Sequence, residues 1–211
     1  MRGGKIIKKK FNQVYQFKIT LKGIKPPIWR RIQVPKTYTF YDLHVAIQDA
    51  MGWYDCHLHE FEIIYPLIDL KVNIGIPNEE PMWEFTWNKK VLPGWKVKIT
   101  DCFLMENQSA EYIYDFGDYW RHKITLEKIL PKEKNIIYPI CIKGKRACPP
   151  EDCGGPLVYD DFLESIRNLN DEQHEERLEW IGGEFDSEHF DTNEVIFDNP
   201  AERFKNAFGI R

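Results

Sequence analysis

No run in the 211 residues approaches the roughly 18 consecutive apolar side chains that a membrane span requires. Nor does an apolar segment follow the positive start MRGGKIIKKKFNQ, so this leader does not read as a secretory signal. Both absences predict a cytoplasmic chain with reduced thiols and no membrane partner. An excess of one charge is lacking too. The net charge of -4 argues against a protein devoted to wrapping nucleic acid, while leaving room for a local basic patch. The five cysteines are odd in number, so at least one stays unpaired within the chain. HExxH, paired CxxC and GxxxxGK[ST] are all absent, which removes the strongest motif routes to zinc proteases, zinc ribbons and nucleotide loops. There is no internal repeat, no low-complexity tract and no clear interdomain linker.

Aromatic residues are plentiful, with 7 Trp, 10 Tyr and 13 Phe making up 14% of the chain. Such rings fill cores, and an excess can line a groove or an interface. The composition, 43% hydrophobic and 29% charged, is that of a folded globular chain. Residues 1–13 are expected to form a flexible basic leader. Residues 14–211 are expected to form one domain with a helical C-terminal extension.

VYQFKITLKGIKPPIWRRIQVP reads as two strands around a Gly/Pro turn. Tyr15, Phe17, Ile19 and Leu21 share one face of the first strand. Ile28, Arg30, Ile32 and Val34 share one face of the second, with Trp29 and Arg31 opposite. Thr39 is placed to cap a helix over FYDLHVAIQDAM, which Gly52 stops. HLHEFEIIY returns to strand spacing, placing His57 and His59 on one face. Residues Pro66 to Trp95 give no clear pattern. ITDCFLM predicts a short helical turn capped by Thr100. In EYIYDFGDYWRHKITLEKI, Gly117-Asp118 suits a type II′ turn. That register predicts Ile113, Asp115, Trp120, His122, Ile124 and Leu126 on one side, with Tyr112, Tyr114, Phe116, Tyr119, Arg121 and Lys123 on the other. VYDDFLESIRNL and DEQHEERLEWIGG read as helices, and the tail as short helical pieces. Strands followed by helices predict an α+β fold: a mostly antiparallel sheet with an early helix and a helical C-terminal part packed on it.

The stretch ACPPEDCGG, Ala147 to Gly155, combines thiols, carboxylates and backbone punctuation. Pro149 and Pro150 stiffen it, and Gly154 or Gly155 can take a positive φ. It is expected to act first as a rigid connector from the sheet to the helix beginning near Tyr159. Chemistry is concentrated in His57, His59, Asp115, Asp118, His122 and Cys148. Imidazoles, carboxylates and a thiolate are the donor types that zinc favours, and manganese shares the carboxylate and imidazole part of the set. A hairpin with polar residues on a wet face would give the same pattern without an ion. Cys148 as a nucleophile would need a depressed pKa, which Glu151 and Asp152 oppose. Separately, Trp29, Arg30 and Arg31 place cations beside a ring, the makings of a stacking-and-phosphate or protein-partner surface.

YQFKITLKGIKPPIWRRIQVP, LHVAIQDAMGWYDCHLHEFEI, YIYDFGDYWRHKITLEKI, YPICIKGKRACPPEDCGG and LEWIGGEFD, in that order, resemble the plasmid pRiA4b ORF-3-like family. The resemblance runs from about Tyr15 to about Val195. It implies an α+β fold and an association with mobile elements, and brings no established activity. Its motif positions here include Trp29 to Arg31, Gly52-Trp53, His57, His59, Asp115 to Asp118, Trp120, His122 and Cys148 to Asp152. Members often lack a cysteine at the place of Cys153, which leaves Cys148 the better thiol candidate. Two functions are therefore carried forward. One is a binding or adaptor module for nucleic acid or protein through Trp29, Arg30 and Arg31. The alternative is a metal-assisted hydrolase or nuclease-like enzyme using His57, His59 and His122 with Asp115 or Asp118 and Cys148.

Overall fold

The structure, a computed structural model, describes residues 11–65, 70–77 and 90–209. It is an α+β fold built on an eight-stranded sheet. The strands are β1 (Gln13–Leu21), β2 (Trp29–Pro35), β3 (His59–Tyr65), β4 (Leu70–Gly75), β5 (Val91–Pro93), β6 (Ser109–Tyr114), β7 (Trp120–Pro131) and β8 (Ile140–Lys145). Their order is β5-β4-β3-β6-β7-β1-β2-β8, and every pairing is antiparallel except β4 with β5. Helices α1 (Phe40–Met51), α2 (Ile99–Cys102), α3 (Tyr159–Arg167), α4 (His174–Trp180) and α5 (Pro200–Phe208) complete the chain. Among the described residues no helix is long and apolar enough to cross a membrane. The basic leader up to Lys10 and much of Pro66 to Trp95 lie outside the described residues.

The alternation in β1 and β2 explains the core. Tyr15, Phe17, Ile19 and Leu21 are buried, as are Ile28, Arg30, Ile32 and Val34. Thr39 accepts from the Asp42 N–H at 3.2 Å and Asp42 returns the bond to the Thr39 N–H at 2.8 Å, a reciprocal cap that starts α1. Gly52, at φ 89°, ends it, because a side chain resists that conformation. Helix α1 packs its Phe40, Leu43 and Ile47 stripe on the sheet. Phe40 meets Phe61 at 5.0 Å and Phe103 at 6.1 Å, and Phe103 meets Phe17 at 5.0 Å. Helix α5 lies against α1, with Phe204 and Phe208 on Tyr41 and Trp95.

Three local expectations are corrected. Strand β6 stops at Tyr114 and β7 starts at Trp120, with Tyr114 opposite Trp120 and Tyr112 opposite His122. The connection is the whole of Asp115 to Tyr119, closed by the Tyr119 N–H on the Asp115 carbonyl at 2.7 Å. Asp115 and Tyr119 both sit near φ 60°, at 57° and 59°. Aspartate tolerates that region, and the Asp115 Oδ1 secures the turn by accepting from the Gly117 N–H at 2.8 Å. The longer turn moves β6 by one position, which exchanges its faces. Tyr112 and Tyr114 thus join Trp120, His122, Ile124 and Leu126 in the core, and Asp115 leaves the strand altogether. Second, β3 begins at His59, so His57 lies in the preceding bend and the two histidines share no strand face. Third, α2 starts at Ile99, with Thr100 inside it rather than capping it.

Candidate functional site

The segment after Gly52 runs along one end of the sheet and places its side chains in two directions. Inward, Asp55 meets two buried histidines. His44, from α1, has its Nε2 2.7 Å from the Asp55 Oδ1 and its Nδ1 2.8 Å from the Tyr112 hydroxyl. The Gln48 amide, one helical turn after His44, donates to the same hydroxyl at 2.8 Å. One polarity satisfies the whole chain: Gln48 donates to Tyr112, Tyr112 to His44, and the neutral His44 to the Asp55 carboxylate. Burial holds the His44 pKa well below the ordinary histidine value and raises that of Asp55. His59 stacks flat on His44, ring centroids 3.4 Å apart and planes 10° from parallel. Its pKa is also lowered, first by burial and then by His44. Outside this chain, Arg203 of α5 binds Asp49 at 2.7 Å and stands 3.8 Å from Asp55. A cleft of about 710 Å³ opens there between Trp53, Asp55 and α5.

Outward, the bend presents His57 to the hairpin turn and to the ACPPEDCGG loop. The His57 Nε2 lies 2.9 Å from the Asp152 Oδ1 and 3.7 Å from the Asp115 Oδ2. The loop is seated by four further contacts. The Trp53 indole donates to the Pro149 carbonyl at 2.9 Å, and the Tyr54 N–H donates to Glu151 at 2.7 Å. The Tyr114 hydroxyl donates to the other Glu151 oxygen while accepting from the Cys56 N–H at 3.0 Å. The Gly154 N–H donates to Asp118 at 3.1 Å. Gly154 and Gly155 have φ of 95° and 82°, as the loop requires. A Cβ on Gly155 would press into the Asp118 backbone, so glycine lets the loop approach the turn. ACPPEDCGG therefore links sheet to helix and also supplies one wall of a polar rim.

Two His/Asp groups able to coordinate a metal are thus present, His44–Asp55–His59 and His57–Asp115–Asp152. The first already uses both His44 nitrogens, while the His59 Nδ1 is buried with no hydrogen-bond partner among the described residues. An ion could enter this group only by breaking one of the two His44 hydrogen bonds. The second has its donor atoms converging at the protein rim.

The sequence candidates divide accordingly. His57 and Asp115 come together, whereas His59 belongs to the buried group. His122 joins neither. It packs edge-on to Trp53 at 5.3 Å and beside Tyr112 at 5.3 Å, and neither of its ring nitrogens has a partner among the described residues. Burial lowers its pKa to about 4. Asp118 secures Gly154 instead of facing the histidines. Cys148 has its pKa raised by burial, which keeps the thiol neutral and removes it as a ready ligand or nucleophile. His44, Gln48, Asp55, Tyr112 and Asp152 were missed. The i, i+4 pair His44 and Gln48, polar side chains on a helix otherwise packed on the sheet, was the available signal.

The proposed surface at Trp29, Arg30 and Arg31 also divides. Arg30 is buried, donating to the carbonyls of Ala50 at 2.8 Å, Trp29 at 3.0 Å and Lys145 at 3.1 Å, with Phe190 3.8 Å from its guanidinium. It closes a backbone gap and offers nothing to a phosphate. Trp29 and Arg31 face outward. Cross-strand pairing puts Lys123, Thr20, Trp29 and Lys145 in one row and Thr125, Lys18, Arg31 and Lys143 in the next. Lys18 and Arg31 stand 5.0 and 5.3 Å from the Trp29 ring. Arg31 grips Glu127 through two bonds, Nε to Oε2 at 2.5 Å and Nη2 to Oε1 at 2.8 Å. Lys123, Lys143 and Lys145 are exposed and have no carboxylate partner among the described residues.

The family described as plasmid pRiA4b ORF-3-like protein matches residues 13–194. The uncharacterized protein y4hQ of Sinorhizobium fredii (strain NBRC 101917 / NGR234) is 35% identical over 176 residues, covering 82% of this chain and 84% of its own. A solved structure, the protein of unknown function MM3350 from Methanosarcina mazei Go1, is similar with a TM-score of 0.79 and 45% identity. That match covers 89% of this chain and all of the other, 100%.

Proposed function

The chain belongs to the plasmid pRiA4b ORF-3-like family, and from that footing we propose that it is a binding module for single-stranded nucleic acid. One observation carries the reading: the two cross-strand rows that surround the outward-facing Trp29 with Lys18, Lys123, Lys143 and Lys145. A flat sheet face with one ring and flanking cations suits an extended strand, whose unpaired bases stack while its phosphates meet the lysines. The salt bridge to Glu127 ties Arg31 to the sheet, so it shapes the surface more than it contacts phosphate. The overall charge of -4 is compatible, because the cations are gathered in one place.

The test is a titration of oligo-dT and oligo-U against the protein at stepped salt, followed by tryptophan fluorescence. Four lysines predict a log–log salt slope of about -3 for a single strand. Trp29→Ala is expected to weaken binding by about 1–3 kcal/mol. No binding at low ionic strength would remove the reading and leave this face to a protein partner.

Metal-assisted hydrolysis is the second reading, favoured by the convergence of His57, Asp115 and Asp152 from three segments distant in sequence. A divalent ion there would supply an activated water and a polarised phosphoryl or acyl oxygen. Turnover of a generic phosphodiester with added manganese or zinc, absent in Asp115→Asn, is the result this reading requires.

A further inference from the structure

Asp115 brings one unbonded oxygen to the polar rim at this end of the sheet. Its residue is 7% exposed. Its Oδ1 accepts from the Gly117 N–H, whereas its Oδ2 accepts no hydrogen bond among the described residues. That oxygen faces the His57 Nε2 at 3.7 Å, too far for a hydrogen bond. His57 in turn directs the same Nε2 at Asp152, 2.9 Å away. Two carboxylates therefore share one imidazole nitrogen, which can satisfy only one of them. The Asp115 side chain is 11% exposed, so this oxygen reaches solvent, and a cation joining it would take the place of water.

We infer that His57, Asp115 and Asp152 bind one divalent cation, with Asp152 as its solvent-side ligand. Their donor atoms all lie within 4.8 Å of one another, close enough for a common ion after small side-chain adjustment. Binding would replace the proton between His57 and Asp152 and give the free Asp115 Oδ2 a partner. The donor set, two hard oxygens and one imidazole, favours manganese or zinc. It disfavours magnesium and calcium, which prefer oxygen alone, and copper(I), which prefers sulfur. Three protein ligands leave positions for water or substrate, as in sites that do chemistry rather than hold structure. The ligands are oriented by their surroundings. Asp115 is fixed by its turn, the His57 ring lies edge-on to Tyr114 at 5.8 Å, and Asp152 belongs to the loop that Trp53, Tyr54 and Tyr114 anchor. This inference rests on the same rim as the hydrolase reading, but requires only that the ion bind.

The full chain, prepared without a metal-affinity tag and stripped with chelator, is titrated with Mn2+ and followed by electron paramagnetic resonance. Zn2+ then competes, and Mg2+ serves as the hard-ion control. One Mn2+ per chain is expected, displaced by Zn2+ and held at least tenfold more tightly than Mg2+, with a rise in Tm. Asp115→Asn and His57→Ala should each weaken it at least tenfold, while Glu176→Gln, at an exposed position of α4, should leave it unchanged. Asparagine tolerates the left-handed backbone and keeps the Gly117 acceptor, so the turn survives Asp115→Asn. Should either of those two variants fail to fold, Asp152→Asn, on an exposed residue, gives the same reading. The inference is overturned by the absence of saturable binding, or by binding that Asp115→Asn and His57→Ala leave intact. Binding without phosphodiester turnover would keep the site and dismiss the hydrolase.

Discussion

His57 and His59 are two residues apart, yet they work in opposite surroundings. His59 lies against His44 in the core, where every charge must be suppressed or matched. His57 lies at the rim between two carboxylates and solvent. The buried group has a complete donor-to-acceptor chain from Gln48 to Asp55 and no vacant lone pair on His44. The rim group has more acceptors than donors. The same residue types therefore give a sealed network, in which only the His59 Nδ1 and the Gln48 Oε1 are left over, and an open cluster at the rim. What separates the two groups is access: the leftover atoms of the first are sealed from water, whereas the second faces it.

The comparison can be broken most forcefully with acid. His122, lowered to about 4 by burial, stays neutral in the fold while its unfolded counterpart titrates near 6.5. Between those values the unfolded chain binds the extra proton, so stability falls as pH falls from about 6.5 toward 4. The expected loss is about 3 kcal/mol from His122 alone, with His44 contributing in the same direction. Urea unfolding at stepped pH measures this, and His122→Phe should flatten the dependence. A profile unchanged by that substitution would mean that the buried ring is not the source.

A smaller effect sharpens the buried side. Tyr112→Phe removes the hydroxyl joining Gln48 to His44 and leaves the Gln48 amide and the His44 Nδ1 unpaired, while the His44 Nε2 keeps Asp55. A cost of about 2 kcal/mol is expected from equilibrium unfolding. Smallest is the rim. In metal-free protein Asp152→Asn should change stability by less than about 0.5 kcal/mol, since its partner contact is exposed to water. If Asp152→Asn cost as much as Tyr112→Phe, the two groups would not differ as their surroundings require.

The main architecture was legible because alternation and capping act locally. Tyr15 to Leu21 alternated and became β1, and Thr39 and Gly52 bounded α1 as their chemistry dictates. The β6–β7 register was less legible, since Gly117-Asp118 invites a two-residue turn. What decided it was the ability of Asp115 to adopt a left-handed conformation and bond its own turn, which period-two counting cannot weigh. The site was partly legible: His57, His59 and Asp115 were identified, but their separation into two groups depended on where β3 begins. Asp55 and Asp152 carried no pattern of their own. They acquire meaning only when α1 and the ACPPEDCGG loop arrive at the same end of the sheet. Arg30 shows the reverse case, a cation correctly placed on the inner face by alternation but also assigned to a surface that this placement denies it.

The packing at Gly144 has a consequence for assembly. Strand β8 borders the sheet beside β2, where an exposed ladder would invite another chain to add a strand. The Phe190 ring occupies the space that a Cβ on Gly144 would fill, and it also covers the Arg30 guanidinium. Lys143 and Lys145 flank that position on the outer face. The bordering strand thus carries a seated ring on its inner face and charge on its outer face. Charge on a bordering strand discourages copies of this chain from joining edge to edge into growing fibres.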